Sequence, residues 1–212
     1  MALVLMAVPF LLEDVSAADT KPVFGSNLSD TTATTGDSFD FGINVTDDYN
    51  VSSTYVEYWY GSGTATNSSM SRTGFNWTYQ VTIPSDSTDT LYYRFHAVDN
   101  ASQWAHYPSA TTSVSQAVTD NDDPTFTDNS PATGTTGDTY SFDVAASDNV
   151  AVSGVSVTWS HGSLSGTNTA LSDDGDGTWS LDITLDDSIS SMTYTLTVTD
   201  SSSNSVTGST QT

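Results

Sequence analysis

TTGDSFDF at residues 34–41 and VTDDYNVSSTYVEYW at 45–59 are answered by TTGDTYSF at 135–142 and ASDNVAVSGVSVTW at 146–159. Working outward, TKPVF at 20–24 is matched by DDPTF at 122–126, WTYQVTI at 77–83 by WSLDITL at 179–185, and LYYRFHAVDN at 91–100 by MTYTLTVTD at 192–200. One unit of about a hundred residues therefore occurs twice. Two copies of one scaffold place function in what varies between them and in how they are joined.

Within each copy the apolar residues alternate with period two. Phe39, Phe41, Ile43 and Val45 do so, as do Leu91, Tyr93, Phe95 and Ala97; the second copy repeats the pattern with Tyr140, Phe142, Val144 and Ala146. This is strand spacing, and no stretch carries a helical period. The expected class is all-β: two tandem immunoglobulin-like (fibronectin III or cadherin-like) β-sandwiches of about seven strands each. The first spans 18–119 and the second 120–212. Strands of the first are expected at 22–28, 38–46, 54–60, 64–70, 75–83, 90–98 and 104–116, with a Trp or Tyr of the third strand filling the space between the sheets. Residues 1–17 open with an apolar run to Leu12 and continue into small residues, the pattern of a cleaved signal peptide. An alternative keeps that run as an anchor or a donated strand.

Charge excludes whole classes of partner. With 26 acidic residues against 3 Lys and Arg, the net charge of −23 repels nucleic acid and anionic lipid. Of the acidic residues 24 are Asp, and only Glu13 and Glu57 are Glu. An acidic surface that served solubility alone would use both types, whereas Asp is the residue of turns and of oxygen-ligand metal loops. The chain has no Cys, so disulfides and thiolate metal sites are excluded.

In a seven-strand sandwich the chain entry and the B–C, C′–E and F–G loops share one end. In the second copy those segments carry Asp120, Asn121, Asp122 and Asp123; Asp148 and Asn149; Asp173, Asp174 and Asp176; and Asp200. Asp86 and Asp89, from the E–F turn of the first copy, could reach the same junction. Neighbouring carboxylates repel unless a cation or abundant water compensates. Ca²⁺ suits such a set, since it accepts six to eight oxygens in irregular geometry while zinc prefers His or Cys. The bland alternative is that these Asp residues make turns and face water. The first copy has Asp19, Asp47, Asp48 and Asp99 at the equivalent end but Arg72 in its C′–E loop, so the metal is expected chiefly at the junction, where it would stiffen a hinge.

The junction VTDNDDPTF at 118–126 resembles the Asp/Asn-rich calcium linker of cadherins, which also ends in Pro-x-Phe. As a whole, the repeat is similar to the immunoglobulin-like and cadherin-like modules strung along large prokaryotic surface and adhesion proteins. That resemblance implies a secreted or cell-surface structural or adhesive role, with calcium at the linker and self-association or a surface glycan as partner.

Outward positions differ between the copies. The first shows Tyr55, Glu57 and Trp59 beside Tyr92, Arg94 and His96, where the second shows Ser and Thr. An aromatic face reads as a surface for sugar rings or another subunit, or as cross-strand pairs and a Glu57–Arg94 ion pair that stabilise the sheet. His96, His106 and His161 fall on different strands and read as scattered surface groups. Glycosylation sequons at Asn27, Asn44, Asn50, Asn67, Asn76 and Asn100 are confined to the first copy. A paired-carboxylate hydrolase lacks an apolar pocket that would raise one pKa, and no nucleophile motif is present. The reading is a non-enzymatic structural or adhesion protein, as a filament or surface-layer subunit, with a carbohydrate-binding module as the alternative.

Overall fold

The computed structural model describes residues 18–212, so the signal-peptide reading of 1–17 lies outside the described residues. The first domain is built from β1 (Val23–Asn27), β2 (Ala33–Thr34), β3 (Ser38–Thr46), β4 (Val51–Tyr60), β5 (Thr66–Ser69), β6 (Ser71–Thr73), β7 (Asn76–Thr82), β8 (Leu91–Asp99), β9 (Trp104–Tyr107), β10 (Val114–Gln116) and β11 (Val118–Thr119). The second continues with β12 (Thr125–Asp128), β13 (Thr139–Ser147), β14 (Val152–His161), β15 (Leu164–Ala170), β16 (Ser172–Asp173), β17 (Thr178–Thr184), β18 (Thr193–Asp200) and β19 (Ser205–Thr207). Among the described residues no helix is long and apolar enough to cross a membrane.

Each domain is a two-sheet sandwich. One sheet of the first runs β1-β3-β7-β6 and the other β10-β8-β4-β5, with β9 also on β8; the second domain pairs β12-β13-β17-β16 with β15-β14-β18-β19. Alternation sets the faces. Along β8 the side chains of Leu91, Tyr93, Phe95, Ala97 and Asp99 are buried while Tyr92, Arg94, His96 and Val98 are only partly so. Phe39, Phe41, Ile43 and Val45 of β3 join Val56 of β4 and Phe95 of β8 in one core, and Tyr140, Phe142 and Val144 of β13 join Val157 and Leu196 in another. Each such side chain contributes about 1.5–3 kcal/mol on leaving water.

The repeated TTGD is a tight turn in both copies. Asp37 donates its N–H to the Thr34 carbonyl and Asp138 to the Thr135 carbonyl, with Gly36 and Gly137 at φ of 72° and 75°. A side chain at that third position would be strained, which is why glycine recurs there.

Three features differ from expectation. The fully buried rings between the sheets include Phe41 on β3 and Phe142 on β13; Tyr58 on β4 and Trp159 on β14 are only partly buried, packed against the two cores. The strand expected at 104–116 is two strands, because Pro108 has no N–H to give the ladder and Ser109 turns the chain by accepting from the N–H groups of Thr111 and Thr112. Finally, β11 pairs in parallel with β2, and Thr35 donates its N–H to the Thr119 carbonyl, so the segment leading to Asp120 is tied to the first domain's TTGD turn.

Candidate functional site

The chain entry to the second domain, the β13–β14 loop and the β18–β19 loop meet at one pole. Carboxylate oxygens of Asp120, Asp148 and Asp200 lie within 4.8 Å of one another there. Asp120 is 6% exposed and Asp200 1%. Main-chain donors fix one side of each carboxylate. Asp148 Oδ2 accepts from the N–H groups of Val150 (2.8 Å) and Ala151 (3.0 Å), and Asp200 Oδ1 from those of Ser202 (2.9 Å) and Asn204 (2.8 Å). Asp120 Oδ1 accepts from the Asp122 N–H (3.2 Å) and from the Thr35 hydroxyl of the first domain (2.9 Å). This leaves Asp120 Oδ2 and Asp148 Oδ1 buried without a hydrogen-bond partner, together with Asn149 Oδ1. Unpaired buried carboxylate oxygens are costly, and a hard cation is the compensation their chemistry fits.

Asn149 is also the strap between the domains. Its Nδ2 donates to the Ser85 carbonyl in the β7–β8 loop at 2.7 Å and lies 3.2 Å from Asp122 Oδ2. Asn121 Nδ2 reaches Asp37 Oδ2 at 3.4 Å.

Other residues expected at this pole lie outside the group. Asp173, Asp174 and Asp176 are exposed and spend their oxygens on their own hairpin: Asp173 accepts from the Gly175 N–H, Asp174 from the Ser180 hydroxyl and Asp176 from Thr178. Gly175 and Gly177, at φ of 85° and 88°, curl that hairpin on itself. The hydroxyl and N–H of Thr178 hold the Asp176 carboxyl below its ordinary range. Asp123, Asp86 and Asp89 are exposed and outside the group as well; Asp89 lies beside Gly61 in the β4–β5 turn.

On the outer face of β4 and β8 the register pairs Tyr55 with His96, Glu57 with Arg94 and Trp59 with Tyr92. Glu57 Oε2 accepts from Arg94 Nε at 2.5 Å and lies 3.0 Å from His96 Nε2. Trp59 stacks on Tyr92, centroids 5.8 Å apart, and the Arg94 guanidinium lies over the Trp59 ring. Trp104, 49% exposed, stacks on Tyr55 and His106. The scattered-surface expectation is corrected for His96 and His106, whose Nδ1 atoms are 2.6 Å apart, while His161 lies apart from them and is buried, its Nδ1 accepting from the Asp186 N–H. Counting outward from the β8–β9 turn, where Val98 faces Trp104, places His96 opposite His106, so a signal was present in the sequence.

The Arg94 hydrogen bond holds the Glu57 carboxyl below its ordinary value of 4.5. A depressed carboxyl adds stability above the unfolded-state value, and that stability is lost as pH falls through the folded one. Glu57→Gln is therefore expected to lower the melting temperature at pH 7, by a difference that shrinks as pH falls below 4.5. Both partners are between a fifth and a quarter exposed, so screening keeps the difference to about 1 kcal/mol or less. A constant difference across that pH range would refute the assignment.

The sequon asparagines are not equivalent. Asn27 is partly buried and donates its Nδ2, the atom a glycan would take, to the hydroxyl of buried Tyr93; Asn44 donates to Asn76 on the neighbouring strand. Asn50 holds Arg72 and lies 3.5 Å from Asn100, while Asn67, on edge strand β5, is exposed.

No family model and no curated protein matches the chain. Among solved structures it is similar to the paired titin immunoglobulin domains in complex with telethonin, at 15% identity over 91% of this chain and 95% of that one, with a TM-score of 0.42. It is also similar to a tetra-tandem repeat in the extending region of a large adhesion protein (18% identity, 86% of this chain and 47% of that one, TM-score 0.42) and to the adhesin InvE of Yersinia pseudotuberculosis (15%, 90% and 57%, TM-score 0.38). At these identities and TM-scores the likeness assigns neither a role nor an activity.

Proposed function

We propose that the chain is a non-enzymatic structural or adhesive segment of a secreted or cell-surface protein, in which Ca²⁺ at Asp120, Asp148 and Asp200 stiffens the junction between two immunoglobulin-like domains. The observation that carries this reading is Asp120, a nearly inaccessible carboxylate with Oδ2 unpaired, on a linker that Thr35 ties to the first domain while Asn149 ties the second domain to Ser85. A cation there would draw the entry segment and two loops together, suppressing the hinge motion that two domains sharing few contacts otherwise have. Flexible oxygen coordination favours Ca²⁺ over Mg²⁺, which demands a tight octahedron and keeps its waters. Calcium titration of the full chain beside Asp148→Asn tests it: one binding event is expected to disappear in the variant, and equal heats in the two proteins would remove the reading.

The partner in this reading is another protein or a second copy of the chain, arrayed as a filament or surface layer. A second reading, glycan binding by the aromatic face, is supported by a shallow 220 Å³ cleft in which Glu57, Trp59 and Arg94 meet Thr111 and Thr112. An aromatic ring beside charged and hydroxyl groups suits a sugar. Retention on a glycan array that falls at least tenfold with Trp59→Ala is the expected result; retention unchanged by that substitution rules the cleft out.

A further inference from the structure

The two copies place three acidic residues and one amide at a constant offset of 101: Asp19 with Asp120, Asp47 with Asp148, Asp99 with Asp200, and Gln103 with Asn204. Their hydrogen bonds repeat as well. Asp47 Oδ2 accepts from the N–H groups of Tyr49 and Asn50 as Asp148 Oδ2 does from Val150 and Ala151. Asp99 Oδ1 accepts from the Gln103 N–H at 2.8 Å as Asp200 Oδ1 does from Asn204. Gln103 Nε2 reaches back to the Asp19 carbonyl at 3.2 Å, and Asn204 Nδ2 to the Asp120 carbonyl at 3.2 Å. Such correspondence extends well beyond shared turn chemistry, because the last contact joins segments 84 residues apart in each copy.

Carboxylate oxygens of Asp19, Asp47 and Asp48 lie within 4.8 Å of one another at this pole. Independently of that crowding, Asp99 is 3% exposed and its Oδ2 has no hydrogen-bond partner. Asp19 Oδ1 and Asp47 Oδ1 are also buried and unpartnered, so three different segments each bring one such oxygen to this end of the first domain. Lys21 and the two arginines are not bonded to any of them: Arg72 is held by Gly74, Asn50 and Val51, and Arg94 by Glu57 and Ala110.

We propose that Asp19, Asp47 and Asp99, with Asp48 beside them, form a second Ca²⁺ site at the entry pole of the first domain. It goes beyond the junction reading and stands on separate residues. Three anionic oxygens, with the remaining positions filled by water or main-chain carbonyls, satisfy the hard-oxygen preference of Ca²⁺. Its consequence is local: the ion would pin the segment entering β1 to the loops β3–β4 and β8–β9, so that each domain holds its own entry strand in place.

The test is calcium stoichiometry on the full chain by equilibrium dialysis, with Ca²⁺ alone as probe. Wild type is expected to bind two ions, Asp19→Asn one and Asp148→Asn one, with none left in the double variant. Asp99→Asn should match Asp19→Asn; if burial of Asp99 prevents folding, Asp19→Asn at the domain entrance and Asp47→Asn in a surface loop still decide. Binding in both Asp19→Asn and Asp47→Asn equal to wild type overturns the second site while leaving the junction intact. Conversely, a single ion lost with Asp19→Asn but kept with Asp148→Asn supports the second site and overturns the junction. No binding by wild type overturns both.

Discussion

Phe142→Ala is expected to unfold the second domain early and leave the first untouched. The Phe142 ring is fully buried and packs edge-on against Tyr140 and Tyr194, each with centroids 5.2 Å away. Truncation removes its burial and leaves a cavity that rigid sheets cannot close, a loss of about 3–5 kcal/mol. Against a domain stability of about 5–15 kcal/mol this is a large fraction, and for about a hundred residues it corresponds to a fall of roughly 15–30 °C in melting temperature. The two cores share no residue, and the first contains its own counterpart, Phe41 against Phe39 and Tyr93. Calorimetry should therefore show two transitions with only one displaced. A single transition moving as a whole would mean that the domains unfold as one cooperative unit.

Calcium is expected to move that same second-domain transition in the opposite direction. A ligand that binds only the folded state at a hundredfold excess over its dissociation constant adds about 2.7 kcal/mol. For a domain of this size that is a rise of roughly 10–20 °C. Asp148→Asn keeps the shape of the loop, and its Oδ1 can still accept from Val150 and Ala151, but it removes one of three carboxylates, so the variant should lose most of the calcium-induced rise. Its melting temperature without calcium should equal or exceed that of wild type, because one source of repulsion is gone. A calcium response in Asp148→Asn as large as in wild type would sink the junction site.

How far these sites were legible before the structure depended on the range of the interaction. The alternation of Leu91, Tyr93, Phe95 and Ala97 identified both the strand and its inward face, since successive side chains must point to opposite sides. Asp120, Asp148 and Asp200 could be brought together from topology alone, because the ends of a sandwich are set by strand order. The same rule overreached at Asp173, Asp174 and Asp176. Sharing an end of the fold is not sharing a centre when two left-handed glycines turn a hairpin onto its own carboxylates. The His96–His106 contact is hidden for a simpler reason: the two residues are neighbours only in the register of the β8–β9 hairpin, which apolar alternation along one strand does not show.

By itself the sequence determined the all-β class, the duplication, the inward faces and an acidic character that repels anionic partners. These follow from period, repetition and charge, properties that act between residues close along the chain or on the molecule as a whole. Only the tertiary structure decided which oxygens are left unpaired, how Thr35 and Ser85 grip Asp120 and Asn149 across the junction, and that the hydrogen bonds of Asp148, Asp200 and Asn204 recur at Asp47, Asp99 and Gln103. Those outcomes turn on hydrogen-bond distances between segments as many as 85 residues apart, and no local pattern encodes a distance of that kind.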